Sequence, residues 1–204
     1  IYTIKVKYYF SVNGKRDSCV FNYTFDCPTV QDSLCDQSIC TSGNRSWQNI
    51  ASGVSFVYDM VVYQCKLIVA GQFAQAGNVA ANNIAAWDGH NWLPLLQGLN
   101  GEVRALAVHN GKLYVGGKFT SAGLLSNVNN IASWDGSNWA SLDNGLTGTG
   151  LVFVSALLST PNGLVAGGQF QNAGQTSALQ TNNIAQWNGT SWNANFNTIN
   201  QVFN

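Results

Sequence analysis

Apolar runs six to eight residues long, broken by glycine, asparagine or aspartate, set the rhythm of this chain. The run at 103–108 turns through Asn110-Gly111 into Leu113-Tyr-Val-Gly-Gly-Lys-Phe119. Asn-Gly accepts the positive φ of a tight turn, so two apolar runs around it predict a β-hairpin. The second of these strands has two relatives, Leu67-Ile-Val-Ala-Gly-Gln-Phe73 and Leu164-Val-Ala-Gly-Gly-Gln-Phe170, which start 46 residues before and 51 residues after it. That period is the size of a propeller blade. After each Phe comes x-x-Ala-Gly, ending at Gly77, Gly123 and Gly174. A second block follows: Asn83-Ile-Ala-Ala-Trp87-Asp-Gly, Asn130-Ile-Ala-Ser-Trp134-Asp-Gly and Asn183-Ile-Ala-Gln-Trp187-Asn-Gly. Another Trp stands five residues on, at Trp92, Trp139 and Trp192.

One repeat therefore predicts four short antiparallel strands, the third and fourth joined by a tight Asp-Gly or Asn-Gly turn at 88–89, 135–136 and 188–189. The first two strands are largely apolar on both faces, as at 57–62 and 152–158. A lone sheet in water does not tolerate that pattern, whereas sheets stacked face to face do. The Gly-Gly doublet, Ala-Gly in the first repeat, predicts close approach of a neighbouring backbone. The most variable segments, 120–129 and 171–182, fall between strands two and three and are expected as loops at one rim. The fold expected is all-β, a propeller-like array of four-stranded blades at about 54–93, 101–140 and 151–193, within a domain spanning 46–204.

The start of the chain reads differently. Alternation over 1–12, an Asn13-Gly14 turn and a second run at 19–25 predict a hairpin, followed by a Cys-rich loop to Cys40. Residues 1–45 are thus expected as a disulfide-rich β-hairpin cap. Trp47 matches the second Trp of each pair, but position 42 is Ser where its partner would stand, so 46–52 is the last strand of a partial blade. Three complete blades and one partial one leave apolar faces and strand edges open. Three completions remain: further repeats of a longer chain, strands lent by the N-terminal hairpin, or strands lent by a neighbouring copy, which would string subunits into a filament.

The Gly-Gly doublet with a paired Trp resembles kelch-type propeller repeats. L-Y-V-G-G-x-F followed by N-N-I-A-x-W-D-G-S-x-W is especially similar to the repeats of the fungal Rax-type cell-surface polarity proteins, over residues 54–194. The resemblance implies a cell-surface or cortical protein of many such repeats, without catalytic activity as a rule. Residues 1–45 do not share it.

Composition narrows the partners. Charged residues make up 9% of the chain, nine basic against nine acidic, so no field gathers nucleic acid or anionic lipid. The longest apolar stretch, 54–71, is interrupted by Asp59, Gln64 and Lys66, and no membrane insertion is expected. Neutral polar residues and sequons at Asn22, Asn44 and Asn188 suit a secreted or cell-surface glycoprotein, with Asn188 favoured because it falls at a turn. A start at Ile1 fits a processed protein or a fragment of a longer one. Cys19, Cys27, Cys35 and Cys40 crowd one window and Cys65 lies just downstream, which favours disulfides in an oxidising compartment. The spacings give no paired C-x2-C knuckles and no histidine lies nearby, which argues against zinc. Five cysteines leave one free, bonded to another chain, or paired outside this sequence. Cys65 takes the place that Gly111 holds in the second repeat, so a bond to Cys35 or Cys40 would pin the cap to the first blade.

Candidate chemistry is sparse. His90 and His109, the only histidines, occupy unrelated repeat positions and do not suggest a galactose-oxidase-like copper site. Glu102 is the only glutamate, which leaves a glycosidase pair unsupported. Ser133-Trp-Asp135-Gly-Ser-Asn-Trp139 resembles the Asp-box of sialidases, yet it is one residue short and its aspartate becomes Asn188 in the third repeat, so it reads as a turn. No catalytic residue, cofactor site or metal site is expected. Trp47, Trp87, Trp92, Trp134, Trp139, Trp187 and Trp192 recur at fixed places and read as blade-core aromatics more than as sugar platforms. The pairs Asn82-Asn83, Asn129-Asn130 and Asn182-Asn183 read as bonding their own loops. The expected function is a non-enzymatic extracellular structural or adhesive scaffold that joins copies of itself, with a glycan-binding, lectin-like propeller as the alternative.

Overall fold

The computed structural model describes residues 2–12, 15–25, 53–174, 180–181 and 183–194, the first two spans by backbone alone. The chain divides into two compact units, Ile1–Trp47 and Gln48–Asn204. In the first unit, β1 (Tyr2–Val12) pairs antiparallel with β2 (Lys15–Phe25), from Tyr2 opposite Phe25 to Val12 opposite Lys15. The second strand begins four residues before Cys19, because a hairpin with two residues between its paired positions carries the ladder to its tip. Cys27, Cys35, Cys40, Asn44 and Trp47, with the rest of the expected cap and the partial blade, lie outside the described residues.

In the second unit, the first repeat holds β3 (Phe56–Tyr63), β4 (Lys66–Gln72), β5 (Gln75–Ala76), β6 (Val79–Ala80), β7 (Ile84–Trp87) and β8 (Trp92–Pro94). The second holds β9 (Val103–His109), β10 (Lys112–Gly117), β11 (Ser121–Ala122), β12 (Leu125–Ser126), β13 (Ile131–Trp134) and β14 (Trp139–Ser141). The third holds β15 (Leu146–Thr147), β16 (Phe153–Thr160), β17 (Gly163–Gln169), β18 (Asn172–Ala173), β19 (Ile184–Trp187) and β20 (Trp192–Asn193). Each repeat folds as one four-stranded antiparallel sheet in sequence order: β3-β4-β7-β8, β9-β10-β13-β14 and β16-β17-β19-β20. No helix occurs among the described residues.

Turn chemistry explains the first hairpin of each sheet. Asn110 and Gly111 take φ of 47° and 73°, and Gln64 and Cys65 take 48° and 58° in the same place. Both first-repeat residues bear that strain without a glycine. The third hairpin uses Pro161-Asn162 instead, with Thr160 opposite Gly163.

The glycine doublet has a sharper cause than expected. In every sheet the first strand carries one extra residue opposite the doublet: Tyr58, Arg104 and Ser155 are skipped where the register shifts. This bulge drives the first strand's backbone into the second glycine. A Cβ at Gly71, Gly117 or Gly168 would collide with the carbonyl oxygen of Phe56, Glu102 or Phe153. For the second glycine the close neighbour is therefore the same sheet's own strand, whereas a Cβ on the first glycine of the middle doublet, Gly116, would meet the Val154 side chain of the third sheet. Segment 120–129, expected as a rim loop, carries a small ribbon, β11 with β12, and at the start of 171–182 β18 pairs with β15 of the preceding connector; a matching ribbon, β5 with β6, stands in the first repeat.

The three sheets stack, and their contacts run along the first strands: β3 meets β9 and β9 meets β16. One apolar cluster joins the first and second sheets, with Ile68, Ile84, Leu106, Val115, Trp134 and Trp139 among its members. A second joins the second and third through Tyr114, Ile131, Leu164, Trp187 and Trp192. A third, with Val69, Phe73, Ala85 and Trp92, covers the opposite side of the first sheet.

Candidate functional site at the seams between repeats

The side chains singled out by sequence converge on the seams. The second and third Trp pairs face backward, toward the preceding repeat. Trp134 and Trp139 lie in the cluster shared with the first sheet, and Trp187 and Trp192 in the cluster shared with the second. Within a pair the rings sit opposite each other across two strands, 5.0–5.3 Å between centroids and tilted by 51–58°, a favourable aromatic geometry. The second indole of the second and third pairs also forms a bond. Trp139 Nε1 donates to the Leu95 carbonyl at 3.1 Å, and Trp192 Nε1 donates to the Leu142 carbonyl at 2.9 Å. Both acceptors stand three residues after the second Trp of the preceding repeat.

Those acceptors open a connector that the strand pattern does not reveal. Leu95-Leu-Gln-Gly98 and Leu142-Asp-Asn-Gly145 follow the second Trp at the same distance, and Ile50-Ala-Ser-Gly53 stands in that relation to Trp47. Gly53, Gly98 and Gly145 adopt φ of 65°, 69° and 71°. A Cβ at Gly98 or Gly145 would strike the carbonyl of Asn82 or Val128, so glycine is required there. The carbonyls of these three glycines accept the N–H of Gly77, Gly123 and Gly174 at 2.8, 2.7 and 2.9 Å. The Phe-x-x-Ala-Gly motif is thus a clasp onto the preceding connector.

The asparagine pairs stitch in the other direction. Asn83 Nδ2 and Asn130 Nδ2 donate at 2.8 Å to the carbonyls of Leu99 and Leu146 in the following connector. Asn82 and Asn129 do the same to Gln97 and Asn144, at 2.9 and 2.8 Å. Phe73 N–H donates to Asn83 Oδ1 and Phe170 N–H to Asn183 Oδ1. Asn83 and Asn183 therefore bond their own loop, as expected, and Asn82, Asn83, Asn129 and Asn130 bond the next repeat. Asn83, Asn130 and Asn183 hold φ of 63°, 69° and 66°, a region that asparagine tolerates better than other branched residues.

The Asp-box-like sequence forms a closed loop of four residues, 88–91 or 135–138, between paired tryptophans. The tight turn expected at 88–89 and 135–136 lies one residue on, around 89–90 and 136–137, where the Asp88 and Asp135 N–H groups donate to the Asn91 and Asn138 carbonyls at 3.2 Å. Asp88 Oδ1 accepts the N–H groups of His90 and Asn91, Asp135 Oδ1 those of Ser137 and Asn138, and Asn188 Oδ1 those of Thr190 and Ser191, all between 2.7 and 2.9 Å. A side chain that caps two amides holds such a loop in place. Those N–H groups, first Asn91 for Asp88 and first Asn138 for Asp135, hold both carboxyls below the ordinary aspartate range. Asn188 makes the same bonds without a charge, so the motif works as a cap.

The remaining candidates disperse. His109 is buried, with Nδ1 2.9 Å from Ser159 Oγ and its ring beside Tyr114, while His90 is exposed in its loop. Glu102 binds Arg104, whose guanidinium stacks 4.4 Å over the Phe153 ring of the third sheet. Burial pushes the Tyr63 and Tyr114 hydroxyls above the usual tyrosine range. Tyr63 also donates to the Gly111 carbonyl at 3.2 Å across the first seam. Asn188 is exposed, and its Nδ2 donates to Ser191 Oγ at 3.1 Å. Asn22 stands in β2 opposite Lys5. Cys65 is disulfide-bonded. Among the described residues, no three His, Cys, Asp or Glu side chains gather as a metal site, and no helix is long and apolar enough to cross a membrane. No protein-family model, curated protein or solved structure matches this chain.

Proposed function

We propose that this protein is a non-enzymatic scaffold of the cell surface or extracellular space, a propeller-like stack of blades that presents loops and joins copies of itself. The observation that carries the reading is the seam. The side chains that could recognise a ligand, namely Trp139, Trp192, Asn83 and Asn130, recur at equivalent positions and bond the neighbouring repeat. Binding sites gather different residues at one place, whereas this chain distributes the same residues at regular intervals. The similarity to kelch-type and Rax-type repeats and the cysteine-rich start support the same reading. Electron microscopy of the native protein tests it: extended assemblies are expected. Glycan-array binding that is lost on changing the 120–129 segment would favour the lectin-like alternative instead.

A further inference from the structure

The seam leaves two half-interfaces on one molecule. Strand pairing fixes which residues are equivalent on the face that each sheet turns toward the next. These are Val61, Ile68 and Ile84 in the first sheet, Ala107, Tyr114 and Ile131 in the second, and Leu158, Val165 and Ile184 in the third. Ile84 and Ile131 are 0% exposed because the following sheet covers them, whereas Ile184 is 39% exposed and Leu158 62%. The backward faces show the converse. Val103 and Val154 are 0% exposed against the preceding sheet, whereas the equivalent Val57 is 41% exposed and Met60 beside it 47%. Phe56, equivalent to the Phe153 that Arg104 stacks upon, is 63% exposed.

We infer that a second copy of this chain docks head to tail, its first sheet covering the third sheet of its neighbour and repeating the seam that joins sheets within one copy. The inference rests on the scaffold reading and names the partner and the two surfaces that it uses. Continuity with an interface already built twice in the molecule singles out a second copy as the occupant. The exposed forward face has the pattern that a first-strand backward face covers at both inner seams, and this chain carries one of each. Neither exposed set contains a charged residue that would repel the other. Because the two faces differ, the contact is heterologous, so it propagates into an open chain or closes as a ring.

The test uses two variants of the full chain in sedimentation velocity over a concentration series. One blocks the forward face, Leu158→Asp with Ile184→Asp, and the other blocks the backward face, Val57→Asp with Met60→Asp. The wild type is expected to form a growing series of species, and each variant alone a single chain, with self-association weakened at least tenfold. An equimolar mixture should give a one-to-one dimer and nothing larger, since each partner retains one usable face. Should the aspartates prevent folding, as loss of near-ultraviolet tryptophan dichroism would show, Leu158→Ser and Met60→Ser carry the same mixing test. Assembly that persists in both variants, or a mixture that stays monomeric, overturns this contact and leaves the scaffold reading standing. A wild type that remains a single chain at every concentration overturns both.

Discussion

The middle sheet and the sheets that flank it are built from one pattern, yet they meet different surroundings. Along β9, five of seven residues are buried, while β3 and β16 each bury one of eight. Their sequences do not announce this difference, since all three strands are largely apolar on both faces. The lesson is that a repeat's composition encodes the neighbour it was built to meet, and its burial reports whether that neighbour is present.

The comparison can be broken most severely at Leu106 and Met60, which occupy equivalent positions on the backward faces and are 7% and 47% exposed. Leu106→Ala should cost about 2–5 kcal/mol through lost burial and a cavity, and Met60→Ala under about 1 kcal/mol. Urea denaturation midpoints measure both. The next largest effect is expected at Asn130, 9% exposed, whose Nδ2 satisfies the Leu146 carbonyl. Asn130→Ala should lose about 1–3 kcal/mol by stranding that buried acceptor and forcing a positive φ on alanine. Trp139→Phe deletes the donor to Leu95 together with part of a buried indole, and should lose about 1–3 kcal/mol in the same assay.

The smallest effect concerns pH. Folding depresses the carboxyls of Asp88 and Asp135, so their contribution is present above the unfolded value of about 3.9 and disappears as pH falls through the lower folded value. Thermal midpoints should therefore decline below about pH 4. The Asp88→Asn, Asp135→Asn double variant should flatten that decline, since Asn188 already makes the same bonds without a charge.

The sheets themselves were legible in the sequence because strand alternation, Asn-Gly and the recurring Trp positions are local signals with a fixed period. The seams were not. The bulge that requires Gly71, Gly117 and Gly168 arises from the pairing register, which local pattern does not carry. The connector at Leu95-x-x-Gly98 and Leu142-x-x-Gly145 lies outside any apolar run, and only its constant distance from the second Trp could have exposed it. Asp-Gly marks the turn but not its centre, which falls one residue later because Trp87 pairs with Trp92 across the strands.

The central claim is that identical positions are covered inside the stack and uncovered at its ends. Ile131 and Ile184 test it most directly, being the same residue at the same place in successive sheets, 0% and 39% exposed. Measured by urea unfolding at concentrations low enough for single chains, Ile131→Ala should lose about 2–5 kcal/mol and Ile184→Ala under about 1 kcal/mol. Equal losses at the two positions would contradict the account.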